Sequence, residues 1–445
     1  MNVPCREAQG KIRKKIIDMI GEERIYKGYW WLPSEPEEQI AGTLTIEPNG
    51  TVKLDLYGCF GNVDDYVIVD RKDDPAIFGR CYSPNSNLKE ISLISCHSAI
   101  TLNFSSDFPI TKYTCRYALI GTHVGSMEKA SFFKAYVDFK ELAYWCPPKN
   151  ITTTYKKDSI SIRIQTKTDD AMPLTSFKLE DEITLNLKES ATYQPDYPMV
   201  YIDQGTYLEI EKEDLTALKA LTISRKFERF LSVATLSPVE HGKITLFSKQ
   251  ECQKDGEKVY YHPIELVTYL YKWQTAECLS RQDYLFRYED VAAECGEMIQ
   301  KLYSDKNIAQ ILSNLLDSLE NRRVFTTNDF LVVIQALDGF AIRFRKEKDF
   351  LQQLTDLRNE FSDVGRVSLT DDDLKASKGS RHYYSHILKL EEKNAKHALD
   401  GWELAELTRK LRILLICCVL SFLGMKNDAI NKLLNRCNHS IMHKI

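Results

Sequence analysis

Residues 41 to 58 read AGTLTIEPNGTVKLDLYG, two runs of alternating apolar and polar residues joined by Asn49-Gly50. Alternation with period two puts the apolar side chains of a strand on one face, and Asn-Gly readily supplies the positive φ angles of a tight turn. The segment therefore predicts a β-hairpin with one buried face. The same pattern continues through YVIVD, ISLISC, AITLNF, YTCRYALIG and ASFFKAYVDF, and Pro147-Pro148 closes it. A β-sandwich or barrel-like unit is expected over residues 28–150. Strand patterns at SISIRIQT, EITLNL and TYLEIE, a helical pattern across LTALKALTISRKFERFLSVATLS and a further strand at KITLF predict a mixed α+β lobe over 151–260.

After Pro263 the spacing changes to the 3.6-residue period of amphipathic helices, from IELVTYLYKWQTAE through YEDVAAECGEMIQKLY, IAQILSNLLDSLENR, FLVVIQALDGFAIRFRK and DFLQQLTDLRNEF to ELAELTRKLRILLICCVLSFLG. An all-helical bundle is expected over 263–445. A chain of 445 residues exceeds what one hydrophobic core supports. The expected fold is thus multidomain α+β, with a β-rich N-terminal region over 1–260 followed by an all-α bundle. Ser362 to Gly379, with Asp371, Asp372 and Asp373 in a row, reads as an exposed insertion between two bundle helices.

The formal net charge of -4 excludes a histone-like polycation, so contact with nucleic acid has to come from a local basic patch. The opening MNVPCREAQGKIRKKIIDMIGEE lacks the apolar stretch of a secretory signal, and a cytoplasmic location is expected. The longest apolar run, Ile413 to Met425, falls short of the roughly 20 residues of a membrane helix and reads as a buried core helix, with no membrane partner. The 12 cysteines form no CxxC pairs, which points to reduced core thiols.

Within the helical part, Gly379-Ser380 precedes RHYYSH, Arg381 to His386. Ser380 is a good N-cap residue, so the hexapeptide is expected to open a helix. At about 100° per residue, His382 and His386 fall on nearly one face, and Arg381 lies about 140° from His386. A helix N-terminus would add free N–H groups and the positive dipole end, both suited to a phosphate. Cleaving RNA without a metal needs a base for the ribose 2′-hydroxyl, an acid for the leaving oxygen and a cation for the phosphorane. Arg381, His386 and His382 are the candidate catalytic residues, and no cofactor or metal is called for. The bland alternative makes Arg381 and His382 solvated residues and His386 a histidine packed on the bundle. One helix carries one such set, so two copies facing across a two-fold axis would complete the site, and a homodimer or higher homo-oligomer is expected.

The pattern R-[N/H/D]-x3-H in an all-α C-terminal domain resembles the HEPN superfamily. More narrowly, GYWWLP, GTLTIEPNGTVKLDL, FFKAYVDFKELAYW and FERFLSVATLSPVEHGKITLF, in that order ahead of RHYYSH, resemble the ApeA family of bacterial anti-phage proteins. The resemblance implies a HEPN bundle behind a regulatory N-terminal region, and a metal-independent endoribonuclease. It also implies abortive-infection defence released by a phage-derived trigger, with RNA as substrate and transfer RNA among the candidates. The motif arginine is then Arg381, the motif histidine His386, and His382 holds the variable polar position. The alternative is a non-catalytic HEPN-like dimerisation or ligand-binding protein with a β-rich recognition module.

Other candidates read as ordinary structure or as weaker sites. Arg358-Asn359 has no histidine at the required spacing. Arg343, Arg345 and Lys346, with Arg409, Lys410 and Arg412, could form a basic rim for RNA or solvated helix faces. Cys437, His439 and His443, and separately Cys59, Cys81, Cys96, His97, Cys115 and Cys146, could hold zinc or be tail and core residues. Trp30, Trp31 and Trp145 could form an aromatic platform or pack in the core. The N-terminal region contains no GxSxG, HExxH or P-loop pattern.

Overall fold

The computed structural model describes residues 23–60, 76–82, 88–99, 110–149, 151–156, 158–164, 172–196, 199–256, 258–270, 283–319, 325–345, 349–387 and 396–437. The run YVIVD lies outside the described residues. Strands β1 (Arg24–Trp31), β2 (Ile40–Ile46), β3 (Val52–Tyr57), β4 (Ile77–Tyr82), β5 (Leu88–Ala99) and β6 (Ile110–Ile120) pair antiparallel in the order β1-β2-β3-β6-β5-β4. The ring closes because β4 also pairs with β1, so the sheet becomes a six-stranded barrel. Its interior is built from the alternate residues that the period-two pattern marks, among them Trp30, Leu44, Leu54, Leu56, Ile91 and Leu93. The expected hairpin is β2–β3, in register at Ile46 opposite Val52. At its turn Gly50 has φ +79°, and a side chain there would collide with the Thr268 carbonyl 2.2 Å from the Cβ position. Glycine is required at this point on both counts.

Strand β6 is shared by two systems. Cys115 and the residues before it pair with β3, whereas Tyr117 to Ile120 pair with β14 (Lys258–Thr268). From β14 an antiparallel sheet continues through β13 (Ile244–Asp255), β7 (Ser131–Asp138), β12 (Met199–Thr216) and β11 (Thr184–Asp196) to β10 (Thr175–Lys178). A short helix α1 (Leu142–Trp145) follows β7, and β8 (Ile151–Lys156) and β9 (Ser159–Ile164) form a separate hairpin. Residues Ile264 to Thr268, which the sequence pattern assigns to a helix, are the end of β14. Their apolar spacing fits either period over so short a run, and pairing with both β13 and β6 decides it.

Helix α2 (Ala217–Thr235) is capped by the Thr216 hydroxyl, which accepts from the Lys219 N–H at 3.1 Å. One side lies on β7 and β12, and the other meets the bundle helices α4 (Cys295–Ser304) and α5 (Ile308–Ser318). The bundle also contains α3 (Tyr288–Val291), α6 (Thr327–Phe344), α7 (Phe350–Glu360), α8 (Asp371–His386), α9 (Gly401–Leu423) and α10 (Asn427–Arg436). Helix α9 is the centre post, packed on α4, α5, α6, α7 and α10. The apolar run from Ile413 lies inside it, with Leu414 to Leu420 all buried. Among the described residues no helix is long and apolar enough to cross a membrane. One hydrophobic core runs without a break from the open sheet (Leu185, Ile210) through α2 (Phe227, Phe230) into the bundle (Leu312, Leu415).

Candidate active site

Helix α8 begins ten residues earlier than the sequence suggests. Thr370 and Asp373 form a reciprocal capping box: the Asp373 N–H donates to the Thr370 hydroxyl at 3.1 Å, and the Thr370 N–H to the Asp373 carboxylate at 2.8 Å. Asp371, Asp372 and Asp373 occupy the first turn, where the helix dipole favours negative charge. This start outcompetes Ser380, and residues 371 to 379 are helix rather than insertion. RHYYSH therefore closes α8. Its C-cap, Ile387, adopts φ 52°, ψ 47° and is 90% exposed. The sequence expectation of an anion held by a helix N-terminus is thereby corrected: the negative dipole end lies at His386, and attraction for a phosphate has to come from side chains.

The end of α8 is pinned from behind. Residues 397 to 399 cross it so closely that a Cβ on Gly379 would meet the His397 carbonyl carbon at 2.9 Å and the Ala398 nitrogen at 3.1 Å. The Leu399 N–H donates to Ser380 Oγ at 3.0 Å, and the Tyr384 hydroxyl donates to the Leu399 carbonyl at 2.9 Å. The side chain of Ser380 is thus a fully buried anchor inside the helix.

On the accessible side, the His382 and His386 rings stack 5.8 Å apart at 25°, as residues four apart on one helix should. Arg381 points elsewhere, as its 140° offset requires. Its Nη2 donates to Asp338 Oδ2 on α6 at 2.7 Å, and its guanidinium lies 4.4 Å over the Phe350 ring at the start of α7. Partial burial, the nearby Arg381 and His386, and Lys378 one turn earlier all hold the His382 imidazole below the ordinary histidine pKa of 6.5. His382 is therefore neutral at physiological pH, the form able to accept a proton. Asp338, Phe350 and Lys378 are residues the sequence reading missed. The available signal was Asp338-Gly339, a pair of poor helix formers inside an otherwise apolar helical run.

The cations proposed for a rim are largely occupied within the protein. Arg345 pairs with Glu360 at 2.6 Å, Arg409 with Glu406 at 3.1 Å and Lys410 with Asp373 at 3.1 Å, and Arg358, a separate candidate, pairs with Asp371 at 2.6 Å. The Arg343 side chain donates to the Asn307 carbonyl at 2.7 Å. Arg412 is buried in α9, its Nε donating to Ser318 Oγ at 3.2 Å, and burial pushes its pKa down to about 10. Lys346, His439 and His443 lie outside the described residues. Cys81, Cys96 and Cys115 sit inside the barrel, and Cys146 belongs to the other core. Among the described residues no group of His, Cys, Asp or Glu is arranged to hold a metal ion. Trp30 and Trp145 are fully buried and Trp31 nearly so, which makes them core rather than platform.

A helical bundle that displays an R-x4-H set on one exposed helix end, behind a β-rich region, defines a HEPN-type protein. A family model described as Apea-like HEPN matches residues 337–429, a span that holds Asp338, Arg381, His382 and His386. A second, ApeA N-terminal domain 1, matches residues 25–302, well over half of the chain. The chain belongs to this ApeA family. No curated protein and no solved structure matches it.

Proposed function

We propose that the protein is an anti-phage endoribonuclease whose helical part cleaves RNA without a metal, under control of its β-rich N-terminal region. Membership of the ApeA family and the HEPN domain fit anti-phage defence and a nuclease family. The observation that carries the catalytic reading is the exposed end of α8, where the stacked His382 and His386 stand beside a fixed Arg381. In this reading a neutral imidazole takes the proton of a ribose 2′-hydroxyl. The 2′-oxygen attacks phosphorus, and the 5′-oxygen leaves with a proton from a second imidazole. Arg381 stabilises the charge on the phosphorane.

Because Arg381 and His386 diverge around one helix, a homodimer supplies the complement: the arginine of one copy faces the histidines of the other. Exposed apolar side chains of the bundle, Ile387 at the end of α8 and Trp402 in the first turn of α9, the latter 80% exposed, suit such a contact. The proposed cellular setting is the cytoplasm, with a phage-derived trigger and RNA, transfer RNA included, as substrate.

The test is incubation of purified protein with total bacterial RNA in EDTA, comparing wild type with Arg381→Ala and His386→Ala. Cleavage by wild type alone, leaving 2′,3′-cyclic phosphate ends, is expected. Three equally inert proteins, even with phage lysate added, would favour the non-catalytic dimerisation or ligand-binding reading. Cutting by the mutants would place the active site elsewhere.

A further inference from the structure

Helix α6 reads TNDFLVVIQALDGFAIRF, and its apolar stripe is interrupted by Asp338-Gly339 more than one turn from either end. Neither residue caps the helix, and both are poor helix formers. Local rules broken in the interior of an element mark a position held for another reason. For Asp338 the reason is visible in its partner. Its carboxylate takes the Nη2 hydrogen of Arg381 at 2.7 Å, while the Phe350 ring supports the guanidinium from below at 4.4 Å.

The first contact fixes the direction of one N–H, and the second holds the guanidinium over the ring face. A second link keeps Phe350 in place: Asp349, the N-cap of α7, accepts from the Leu351 N–H at 3.1 Å and meets Lys378 Nζ at 3.4 Å. Lys378 lies one turn before Arg381 on α8, so α7 and α8 are tied together next to the stacked pair. Among the described residues Arg381 has no acceptor besides Asp338, which leaves the rest of its N–H fork for an anion.

We propose that Asp338 is a positioning residue, which acts through Arg381 by orienting the guanidinium before RNA arrives. The proposal rests on the nuclease reading given above. Charge alone argues the opposite consequence, because a carboxylate beside a phosphate site weakens RNA binding. The two effects separate kinetically: the brace acts on turnover, and the charge acts on binding.

Asp338→Ala removes both brace and charge, whereas Asp338→Asn keeps an acceptor oxygen of the same shape and loses only the charge. With the full chain under single-turnover conditions, Asp338→Ala is expected to lower the cleavage rate about 10- to 100-fold without raising the RNA concentration needed for half-saturation. Asp338→Asn should stay within about threefold of wild type and saturate at lower RNA. A purely structural role would shift the melting temperature of both variants and leave the rates of the folded proteins alike. An Asp338→Ala rate equal to wild type, or an Asp338→Asn rate as low as Asp338→Ala, overturns the proposal.

A second readout needs no RNA. Phenylglyoxal attacks free guanidinium groups, so modification of Arg381, quantified by peptide mass spectrometry, should run several-fold faster in Asp338→Ala. Equal labelling removes the brace and the proposal with it. If wild type cuts no RNA, the nuclease reading falls, and labelling still decides whether Asp338 holds Arg381.

Discussion

Gly339 and Gly379 lie beyond the first turn of their bundle helices, and the structure gives replacement by alanine opposite signs at the two. Gly339 in α6 has nothing within 4 Å of a Cβ position, so Gly339→Ala gains the full helix propensity difference, about 1 kcal/mol. Gly379 in α8 offers the same gain but faces the backbone of His397 and Ala398 at 2.9 to 3.2 Å. Backbone atoms cannot swing aside as the tip of a side chain can. Residues 397 to 399 must lift, which strains the Leu399 bonds to Ser380 and Tyr384. Two hydrogen bonds at about 1 kcal/mol each, and about 1 kcal/mol for a buried Ser380 hydroxyl left unsatisfied, outweigh the helix term. The net loss for Gly379→Ala is about 2 kcal/mol. Thermal melting followed by far-ultraviolet circular dichroism should show Gly339→Ala rising about 1 °C and Gly379→Ala falling about 2 °C. RNA cleavage should drop for Gly379→Ala alone, because Arg381 lies two residues further on. A rise in melting temperature for Gly379→Ala comparable to that of Gly339→Ala would refute the argument, since it would mean that residues 397 to 399 do not rest on α8.

Other expectations follow from the same geometry. His382 should titrate below 6.5 by NMR of its ring protons, and Lys378→Ala should move it upward, because burial is the main cause and the remaining cations nearby supply the rest; a downward or absent move would contradict the assigned environment. The native state thereby resists protonating His382 more than the unfolded chain does, so this group opposes folding as pH falls below the ordinary histidine value. Arg412→Ala should destabilise the bundle by about 3 kcal/mol, read as a lower denaturation midpoint, since the change removes a large buried side chain and leaves a void between α9 and α5; a surface-like effect below about 0.5 kcal/mol would show that Arg412 is not buried. Trp402→Ala should weaken self-association at least about tenfold in sedimentation if this exposed ring anchors the homodimer, and unchanged association would remove it from the interface.

The barrel was legible because its strands alternate cleanly and one turn demands glycine. Closure was not, because it depends on which strands meet at a distance: β4 returns to β1 across the described chain, and β6 divides its edge between β3 and β14. The helical pattern after Pro263 failed for a related reason. Ile264, Leu266 and Val267 satisfy both periods, and only the partners on either side of β14 choose between them. That strand joins the barrel to the open sheet, and α2 joins the open sheet to the bundle. Phe227 and Phe230 of α2 meet Phe139, Trp145 and Phe286 within one core, so the helical part rests on the sheet through packed rings.

At the candidate site, the helical placement of the three residues was readable and their environment was not. RHYYSH named Arg381, His382 and His386 correctly as neighbours on one helix, but the choice of Ser380 as N-cap reversed the end of the helix they occupy. The local sequence permits both starts. What decides is cooperative: the Thr370 capping box with three aspartates in the first turn, ion pairs from Asp371 to Arg358 and Asp373 to Lys410, and a chain segment that accepts Gly379 only at close approach. The reversal changes the electrostatics of the proposed site. A site at a helix N-terminus would borrow positive potential from the backbone, whereas one at a C-terminus has to overcome negative potential with fixed cations. In the proposed nuclease, Arg381 then carries more of the work of holding a phosphate. An arginine in that position gains from a brace that fixes its direction, and under the proposal this is the role of the carboxylate at 338 in the middle of an apolar helix.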